Sequence, residues 1–255
     1  WGIIAIAAPL ISPRGPFEQS NLYVLAPSID HLAGTDHLGR DNFDRIIWGT
    51  RVSFMFGFGA AGISVLVGVA LGAIPGYFGG AVDDIFSRSF EIFLVIPRIF
   101  LLILATAVFG TDILMTMALV GLLIWPTNAK ITRAQVMTLK NRTYVKAGVA
   151  AGSGHRKILF GHILPNGIYP VVANSALEMG FAIVLEASLS FLGLGDPNQP
   201  SWGQILFGGK FYLGSWWLTF FPGLAITSIV LGFNFIGDGL NYALNPKSRE
   251  MENEY

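Results

Sequence analysis

The sequence has no cysteine, few charged residues and only four histidines among its 255 residues. The absence of cysteine excludes disulfides, cysteine nucleophiles and thiolate metal sites. Because 16 basic residues are balanced by 16 acidic ones, the chain has no cationic excess with which to bind nucleic acid. Charged residues make up 13% of the chain and hydrophobic ones 53%, whereas soluble domains carry about 25% charged residues. This composition predicts a protein whose solvent is the lipid bilayer.

Motifs for catalysis and for metal or nucleotide binding are also missing. The four histidines fall in no H-E-x-x-H motif, and there is no G-x-S-x-G elbow, so we expect neither a metal site nor enzymatic chemistry. Residues 57–62 fit G-x-G-x-x-G but lie inside an apolar run rather than between a strand and a helix. Residues 148–157 lack the Gly-Lys-Ser/Thr ending of a phosphate loop. We therefore expect no cofactor in this chain and no ATP hydrolysis by it.

Long uncharged runs predict an all-α integral membrane protein, since a membrane helix needs about 20 mostly apolar residues. The chain begins at Trp1 without a methionine, so we expect the first span to be truncated at its start. Six spans are predicted within a single transmembrane domain covering residues 1–255: 1–11, 52–78, 92–109, 113–127, 168–190 and 216–240.

The distribution of Lys and Arg predicts the orientation, since these residues are retained in cytoplasmic loops. Residues 128–165 carry seven of them and 191–215 only Lys210. The first loop is therefore predicted to be cytoplasmic, like the tail 241–255, and the second external. Counting the predicted spans from the cytoplasmic loop places segment 12–51 on the external side of the membrane. Its four arginines lie among five acidic residues, so we expect internally paired charges there.

Two features inside the spans predict contacts within the membrane. Gly68, Gly72 and Gly76 recur every fourth residue, a stripe that lets two helix backbones approach closely. Glu178 and Glu186 lie eight residues apart in one span and would share a helix face. They either line a translocation path or, for Glu186, accept hydrogen bonds near the external end. Arg98 is a third candidate for the path, or an interfacial anchor.

A run of small residues marks the middle of the predicted cytoplasmic loop. Residues 144–166 read YVKAGVAAGSGHRKILFGHILPN, which predicts a helix–turn–helix with little side-chain bulk at its corner. Such a corner suits insertion into a groove on another protein, whereas a basic loop on anionic lipid would not need glycines there. Pro165 interrupts the backbone just before the next span.

This segment resembles the EAA loop of ABC importer permeases, whose short coupling helix docks on the ATPase subunit. Lys146-Ala147-Gly148 stands at the Glu-Ala-Ala triplet, Gly152 at the following glycine, and residues 162–165 at the Ile-x-Leu-Pro ending. Lys146 and His162 depart from the pattern. The ATPase-coupling residues implied by the resemblance are Lys146, Ala147, Gly148, Ala150, Ala151, Gly152, Ser153, Gly154, His155, Arg156 and Pro165.

Three further stretches resemble the dipeptide, oligopeptide and nickel branch of these permeases, in particular its C-type subunit. They are GTDHLGRD at 34–41, EASLSFLGLG at 186–195 followed by PSWG at 200–203, and GDGL at 237–240 with Asn245-Pro246 near the tail. Asn241 and Asn245 replace the Arg and Asp often seen in the branch. The four matches occur in the same order as in the family and cover nearly the whole chain.

The resemblance implies a type I ABC importer permease in a bacterial inner membrane, importing dipeptides or oligopeptides. Its implied partners are a second, homologous permease in a heterodimer, two cytoplasmic ATP-binding subunits that hold ATP and Mg, and an extracytoplasmic binding protein. Candidate contacts with the binding protein are Asp36, Arg40, Asp41 and Trp202. The alternatives are import of nickel or another small solute on the same scaffold, a proton-coupled secondary transporter using the glutamates, and a membrane scaffold without transport.

Overall fold

The computed structural model describes residues 1–244, and this part of the chain is built from helices. The predicted all-α fold is confirmed, since the described residues contain only two isolated β-bridges, Gln19–Arg40 and Thr35–Asp41. The helices are α1 (Gly2–Ile11), α2 (Asn42–Phe78), α3 (Gly80–Val95), α4 (Arg98–Phe109), α5 (Ile113–Leu139), α6 (Thr143–Ala150), a π-helical stretch (Lys157–Ile163), α7 (Leu164–Gly167), α8 (Tyr169–Phe191), α9 (Trp202–Gly209) and α10 (Trp217–Leu244).

Within residues 1–244, four helices are long and apolar enough to cross a membrane, namely α2, α5, α8 and α10. The pair α3 and α4 meets the same test together but is bent by 82°, where a straight span over 92–109 is predicted. The bend follows from Pro97, which has no amide hydrogen and disfavours the helical conformation in the residue before it. Accordingly Ile96 is extended, with φ −77° and ψ 126°. Helix α1, at ten residues, is shorter than the about 20 that a full span needs.

Three helices extend beyond their predicted spans. Helix α2 begins at Asn42 rather than at 52, α5 continues to Leu139, well past 127, and α10 runs to Leu244. Apolar runs mark only the lipid-compatible part of a helix, whereas backbone hydrogen bonding continues into polar turns as long as the side chains find partners or water. The rest of the predicted tail, with Asn245 and Pro246, lies outside the described residues.

The chain divides into two compact units, which we describe separately. The first unit comprises Trp1–Ala60, Ile99–Val120 and Met179–Phe233. Its core is built around Trp202, which is 1% exposed and packs with Ile46, Ile183, Ile229 and neighbouring apolar side chains. The indole Nε1 donates to the carbonyl of Ile46 at 2.9 Å, so the polar edge of this large buried ring is satisfied.

The second unit comprises Ala61–Arg98, Gly121–Glu178 and the residues from Asn234 onward. Here the glycine stripe of α2 lies against α5. A Cβ atom added to Gly68 would lie 2.6 Å from Asn128 Cβ, and one on Gly76 would lie 2.7 Å from the carbonyl oxygen of Arg133. One on Gly72 would overlap the backbone of Ala129. The predicted helix interface is therefore confirmed, and α5 is the partner helix.

Candidate functional site

The segment 143–167, which we call the coupling segment, turns sharply after α6. The N–H of Gly152 bonds to the carbonyl of Val149 at 2.9 Å, and the N–H of Ser153 to that of Gly148 at 3.0 Å. This pair of bonds is the Schellman arrangement, which needs a left-handed residue just after the helix. Gly152 takes that position with φ +78°. The backbone conformation of the turn therefore explains why a glycine stands at this position of the motif.

Apolar side chains anchor one face of the coupling segment within the second unit. Val145 of α6 and Ile158, Leu159 and Ile163 of the π-helical stretch are buried with Ala73 of α2 and Val136 of α5. Burial of each aliphatic side chain stabilises the contact by about 1.5–3 kcal/mol. A Cβ on Gly148 would lie 3.0 Å from Ile158 Cδ1, which explains why a small residue stands there. The segment is thus fixed to α2 and α5.

The opposite face of the coupling segment is open to solvent. Exposed there are Lys146, Ala147, Val149, Ala150, Ala151, Gly152, Gly154, His155, Arg156 and Pro165, while Gly148 and Ser153 are half-buried. Val149 is 56% exposed and Phe160 65%. This face combines small, basic and apolar groups that are exposed, and the other face of the segment packs on α2 and α5. Such a surface is suited to a protein partner.

A hydrogen bond ties the corner of the coupling segment to the end of α2. His155 Nδ1 and Tyr77 Oη lie 2.9 Å apart, and the His155 ring also contacts the rings of Tyr77 and Phe78. The Nζ of Lys140 donates to the carbonyl of Tyr77 at 3.2 Å, which satisfies an otherwise free group at the helix C-terminus. The C-terminal end of α2 and the corner are therefore held to each other by side chains.

A buried polar cluster surrounds Glu178 in the second unit. Ser64 Oγ donates to Glu178 Oε2 at 2.9 Å, Asn128 Nδ2 to the same oxygen at 2.7 Å, and Asn174 Nδ2 to Oε1 at 3.1 Å. The second hydrogens of the two amides go to Ser64 Oγ at 3.0 Å and Asn128 Oδ1 at 2.9 Å. All five donor hydrogens are used, so this carboxylate joins α2, α5 and α8 through neutral donors.

Arg98 and Glu186, the other candidates for the path, lie in different surroundings. Arg98 opens α4, is half-buried, and places Nη2 3.5 Å from Thr127 Oγ1, one residue before the cluster member Asn128. Glu186 is 6% exposed and belongs to the first unit. It accepts from Ser190 Oγ at 2.7 Å. Ser190 lies one turn further along the same helix α8.

Asp36 organises the segment that precedes α2. Its Oδ2 accepts from Arg40 Nε and Arg45 Nη1, both at 2.7 Å, and its Oδ1 accepts from the backbone N–H groups of Leu38 and Arg40. Burial raises the pKa of Asp36, but the charge of Arg45 and the bonds from Arg40 outweigh burial, so that pKa is held below its usual value of 3.8. The predicted pairing of charges in this segment is confirmed for Arg40 and Arg45.

The four candidate contacts with a binding protein differ in how deeply they are buried. Asp36 is 3% and Trp202 1% exposed, so a partner cannot reach these side chains directly. Asp41 lies 2.7 Å from His31 Nδ1 and accepts the N–H of Phe43 at the start of α2, as a helix N-cap does. Arg40 and Asp41 keep 16% and 12% of their side chains exposed. Contact of this segment with a binding protein stays a prediction.

Sequence reasoning missed the partners of Glu178 and one ion pair. Asn128, Asn174 and Ser64 carry a signal, since each is a polar residue in or beside an apolar run, where uncompensated polar groups are costly. The ion pair joins Arg133 to both carboxylate oxygens of Asp83. It links α5 to the first turn of α3, and no spacing in the sequence relates the two positions.

Comparisons with known proteins agree with this architecture. Residues 68–250 match the family described as binding-protein-dependent transport system inner membrane component. A dipeptide transport system permease protein DppC of Alkalihalophilus pseudofirmus is 38% identical over 97% of this chain and 82% of its own length. An oligopeptide transport system permease protein OppC of Bacillus subtilis is 39% identical over the same shares.

A solved structure shares the fold at low sequence identity. An inward-facing form of the MetNI methionine ABC transporter superposes with a TM-score of 0.63, covering 79% of this chain and 96% of that chain at 17% identity. The resemblance to the peptide branch of the ABC importer permeases is confirmed by these matches. The chain therefore belongs to the family of inner membrane components of binding-protein-dependent transport systems, with the fold of a type I ABC importer permease.

Proposed function

We propose that this chain is one of two related permease subunits of an ATP-driven importer that takes up short peptides. The observation that carries the proposal is the two-sided coupling segment, which is anchored to α2 and α5 on one face and uncovered on the other. The names of the relatives at 38% and 39% identity, dipeptide and oligopeptide permeases, support short peptides as cargo. The cargo is delivered by an extracytoplasmic binding protein.

The coupling segment is the docking surface for a cytoplasmic ATP-binding subunit. Its uncovered corner, around Gly152 and His155, enters a groove on that subunit, and its apolar anchor passes the movement to α2 and α5. ATP drives transport because it binds one conformation of the ATPase pair more tightly than the other, and only this difference in affinity shifts the permease. The chain itself supplies no nucleotide site to this cycle.

The surfaces that receive the binding protein are the uncovered apolar side chains of residues 12–51 and 191–215. Ile29 is 91% and Tyr23 62% exposed in the first segment, and Leu213 is 89% exposed in the second. All three belong to the first unit. Exposed apolar groups of this size on non-helical chain favour a protein partner, and the buried Asp36 pairings keep the first segment in shape.

Reconstitution tests the proposal. The tagged chain is purified with its partners in mild detergent, every co-purifying protein is identified, and the complex is placed in liposomes with its binding protein. We expect a second permease, two ATP-binding subunits, and uptake of labelled Ala-Ala that needs both MgATP and the binding protein. Uptake of nickel ion instead of the dipeptide would show that the cargo is nickel rather than peptides. Transport by the chain alone, driven by a pH gradient without ATP, would refute the importer.

A further inference from the structure

Helix α6 of the coupling segment has an inner and an outer face. Val145 is buried, and Gly148 is half-buried against the π-helical stretch. Because successive residues of a helix are turned by about 100°, Lys146, Ala147 and Ala150 lie on the side opposite to these two. All three are exposed. The outer face of α6 therefore carries one lysine, the only charged residue of this helix, beside two alanines.

The chain around α6 offers Lys146 no counter-charge. Residues 113–177 contain seven Lys and Arg residues and no Asp or Glu. None of the ion pairs formed within residues 1–244 includes Lys146. In the isolated chain this ammonium group is hydrated, as an exposed lysine normally is. A counter-charge becomes necessary only where a partner displaces the water.

Docking of the ATP-binding subunit displaces water from this face. Ala147 and Ala150 flank Lys146 and have no bulk that would hold a partner surface away from it. An ammonium group that loses its hydration is costly unless hydrogen-bond acceptors replace the water. A carboxylate is the best replacement, because a hydrogen bond between ionised groups is about twice as strong as one between neutral groups.

We propose that Lys146 pairs with a carboxylate of the ATP-binding subunit, in the groove that receives the coupling segment. The inference rests on the proposed function, in which that subunit docks here, and it adds the chemistry of the groove. Lys146 stands where the family pattern has Glu, so a groove that places a cation at this point would repel the chain. Like charges across an interface suppress wrong partners. Lys146 therefore selects ATP-binding subunits that have an acidic groove.

Anionic lipid is the other surface that a basic segment can bind. The packing of α6 favours a protein instead. Its inner face lies on α2 and α5 through the buried cluster around Val145, so its outer face is directed away from these two membrane-spanning helices. Lys146 is thereby presented to a subunit in the cytoplasm, and a role at the membrane surface is an outcome that the experiment can detect.

Carbodiimide cross-linking of the purified permease–ATPase complex tests the pair, because this reagent joins an amine to a carboxylate without a spacer. We expect an amide bond between Lys146 and an Asp or Glu of the ATP-binding subunit, located by mass spectrometry. Lys146→Arg keeps the charge but has no amine, so it should lose the adduct and retain docking and uptake. Lys146→Met should lose the adduct and about thirtyfold or more in docking affinity, the loss expected when one member of a buried charge pair is removed.

Docking affinity is measured in nanodiscs, from the dissociation of the ATP-binding subunits as the intact complex is diluted. Arg88→Met, at an exposed cation of α3 outside the coupling segment, is the matched control and should dock like the wild type. Lys146→Glu should dock more weakly than Lys146→Met. A second substitution, of the cross-linked carboxylate to Lys, should restore docking and uptake to Lys146→Glu.

Unchanged docking of Lys146→Met would overturn the pair. A loss that appears only in nanodiscs with anionic lipid, and not in neutral ones, would also overturn it and would assign Lys146 to the membrane surface. Co-purification separates these failures from failure of the proposed function. If ATP-binding subunits co-purify and drive uptake while Lys146→Met behaves as the wild type, the acidic groove is refuted and the importer stands. If no ATP-binding subunit co-purifies, the proposed function fails and the pair fails with it.

Discussion

Substitution of Gly152 distinguishes a docking corner from a turn that only shapes the loop. Gly152 has φ +78°, and a Cβ there would meet nothing within 4 Å. Gly152→Ala therefore adds no clash, and its cost is the left-handed backbone, about 1–2 kcal/mol for an L-residue. Gly152→Asp has an equal or smaller backbone cost, because Asp tolerates this conformation better than most residues.

The two variants should differ in coupling although they are similar in stability. If the corner docks in a groove of the ATP-binding subunit, the Asp side chain brings an unpaired charge into an interface, which costs roughly 2–5 kcal/mol. That is a loss of about thirtyfold or more in docking affinity. We expect Gly152→Ala to retain most ATP-driven uptake, and Gly152→Asp to lose the ATPase partner or to hydrolyse ATP without uptake.

Gly110 provides the matched control. It also has a left-handed φ of +91°, and a Cβ added there would meet nothing within 4 Å, but it lies between α4 and α5, outside the coupling segment and the proposed binding-protein surfaces. Gly110→Ala and Gly110→Asp should lower the melting temperature of the complex about as much as the Gly152 variants and leave coupling intact. The measurements are thermal unfolding followed by size-exclusion chromatography, ATPase rate and uptake. Gly152→Asp with uptake equal to Gly152→Ala would refute docking at this corner.

Three further predictions concern the scaffold. Glu178→Gln places an amide donor against the donors that the carboxylate now accepts from, and it should lower the free energy of unfolding by about 1–3 kcal/mol. Glu91→Gln, at an exposed carboxylate, is the control and should not lower it. Thermal unfolding of both variants in detergent measures the difference. Gly72→Leu overlaps α5 and should cost about 1–3 kcal/mol, against little for Gly62→Leu, whose Cβ would meet nothing within 4 Å; equal melting temperatures would contradict the packing. Because the pKa of Asp36 is lowered in the folded state, this residue stabilises its segment above pH about 4, and the stabilisation is lost as the pH falls further. Proteolysis of the segment should therefore accelerate only below pH about 4 in the wild type. In Asp36→Asn it should be fast at every pH.

Local rules in the sequence predicted the features that depend on backbone geometry. Glycines every fourth residue indicate a helix interface, and Gly68, Gly72 and Gly76 do lie against α5. The run of small residues predicts a corner after a helix, and the chain does turn at Gly152. In each case the feature depends on residues within one or two helical turns of each other, so the local sequence pattern is enough to predict it.

Features that depend on distant pairs could not be predicted in the same way. Glu178 meets Ser64 across 114 positions and Asn128 across 50, and no periodicity within one helix indicates which helix supplies the donors. Hydropathy also reports lipid compatibility rather than helix length, which is why α2 begins before its predicted span and α5 ends after its own. The bend of 82° before Pro97 had a local signal, a proline near the start of an apolar run, but that signal does not give the angle.

The central claim, that the coupling segment meets the ATP-binding subunit, can be tested with one cross-linking measurement. Because the sequence contains no cysteine, Ala150→Cys gives the chain a single thiol, to which a benzophenone maleimide is attached in the purified complex. We predict an adduct with the ATP-binding subunit whose yield changes when MgATP is added. Ile29→Cys, at a side chain that is 91% exposed in the wild type, should give none with that subunit. An intact complex in which the Ala150 probe reaches no ATP-binding subunit, with or without MgATP, would contradict the account.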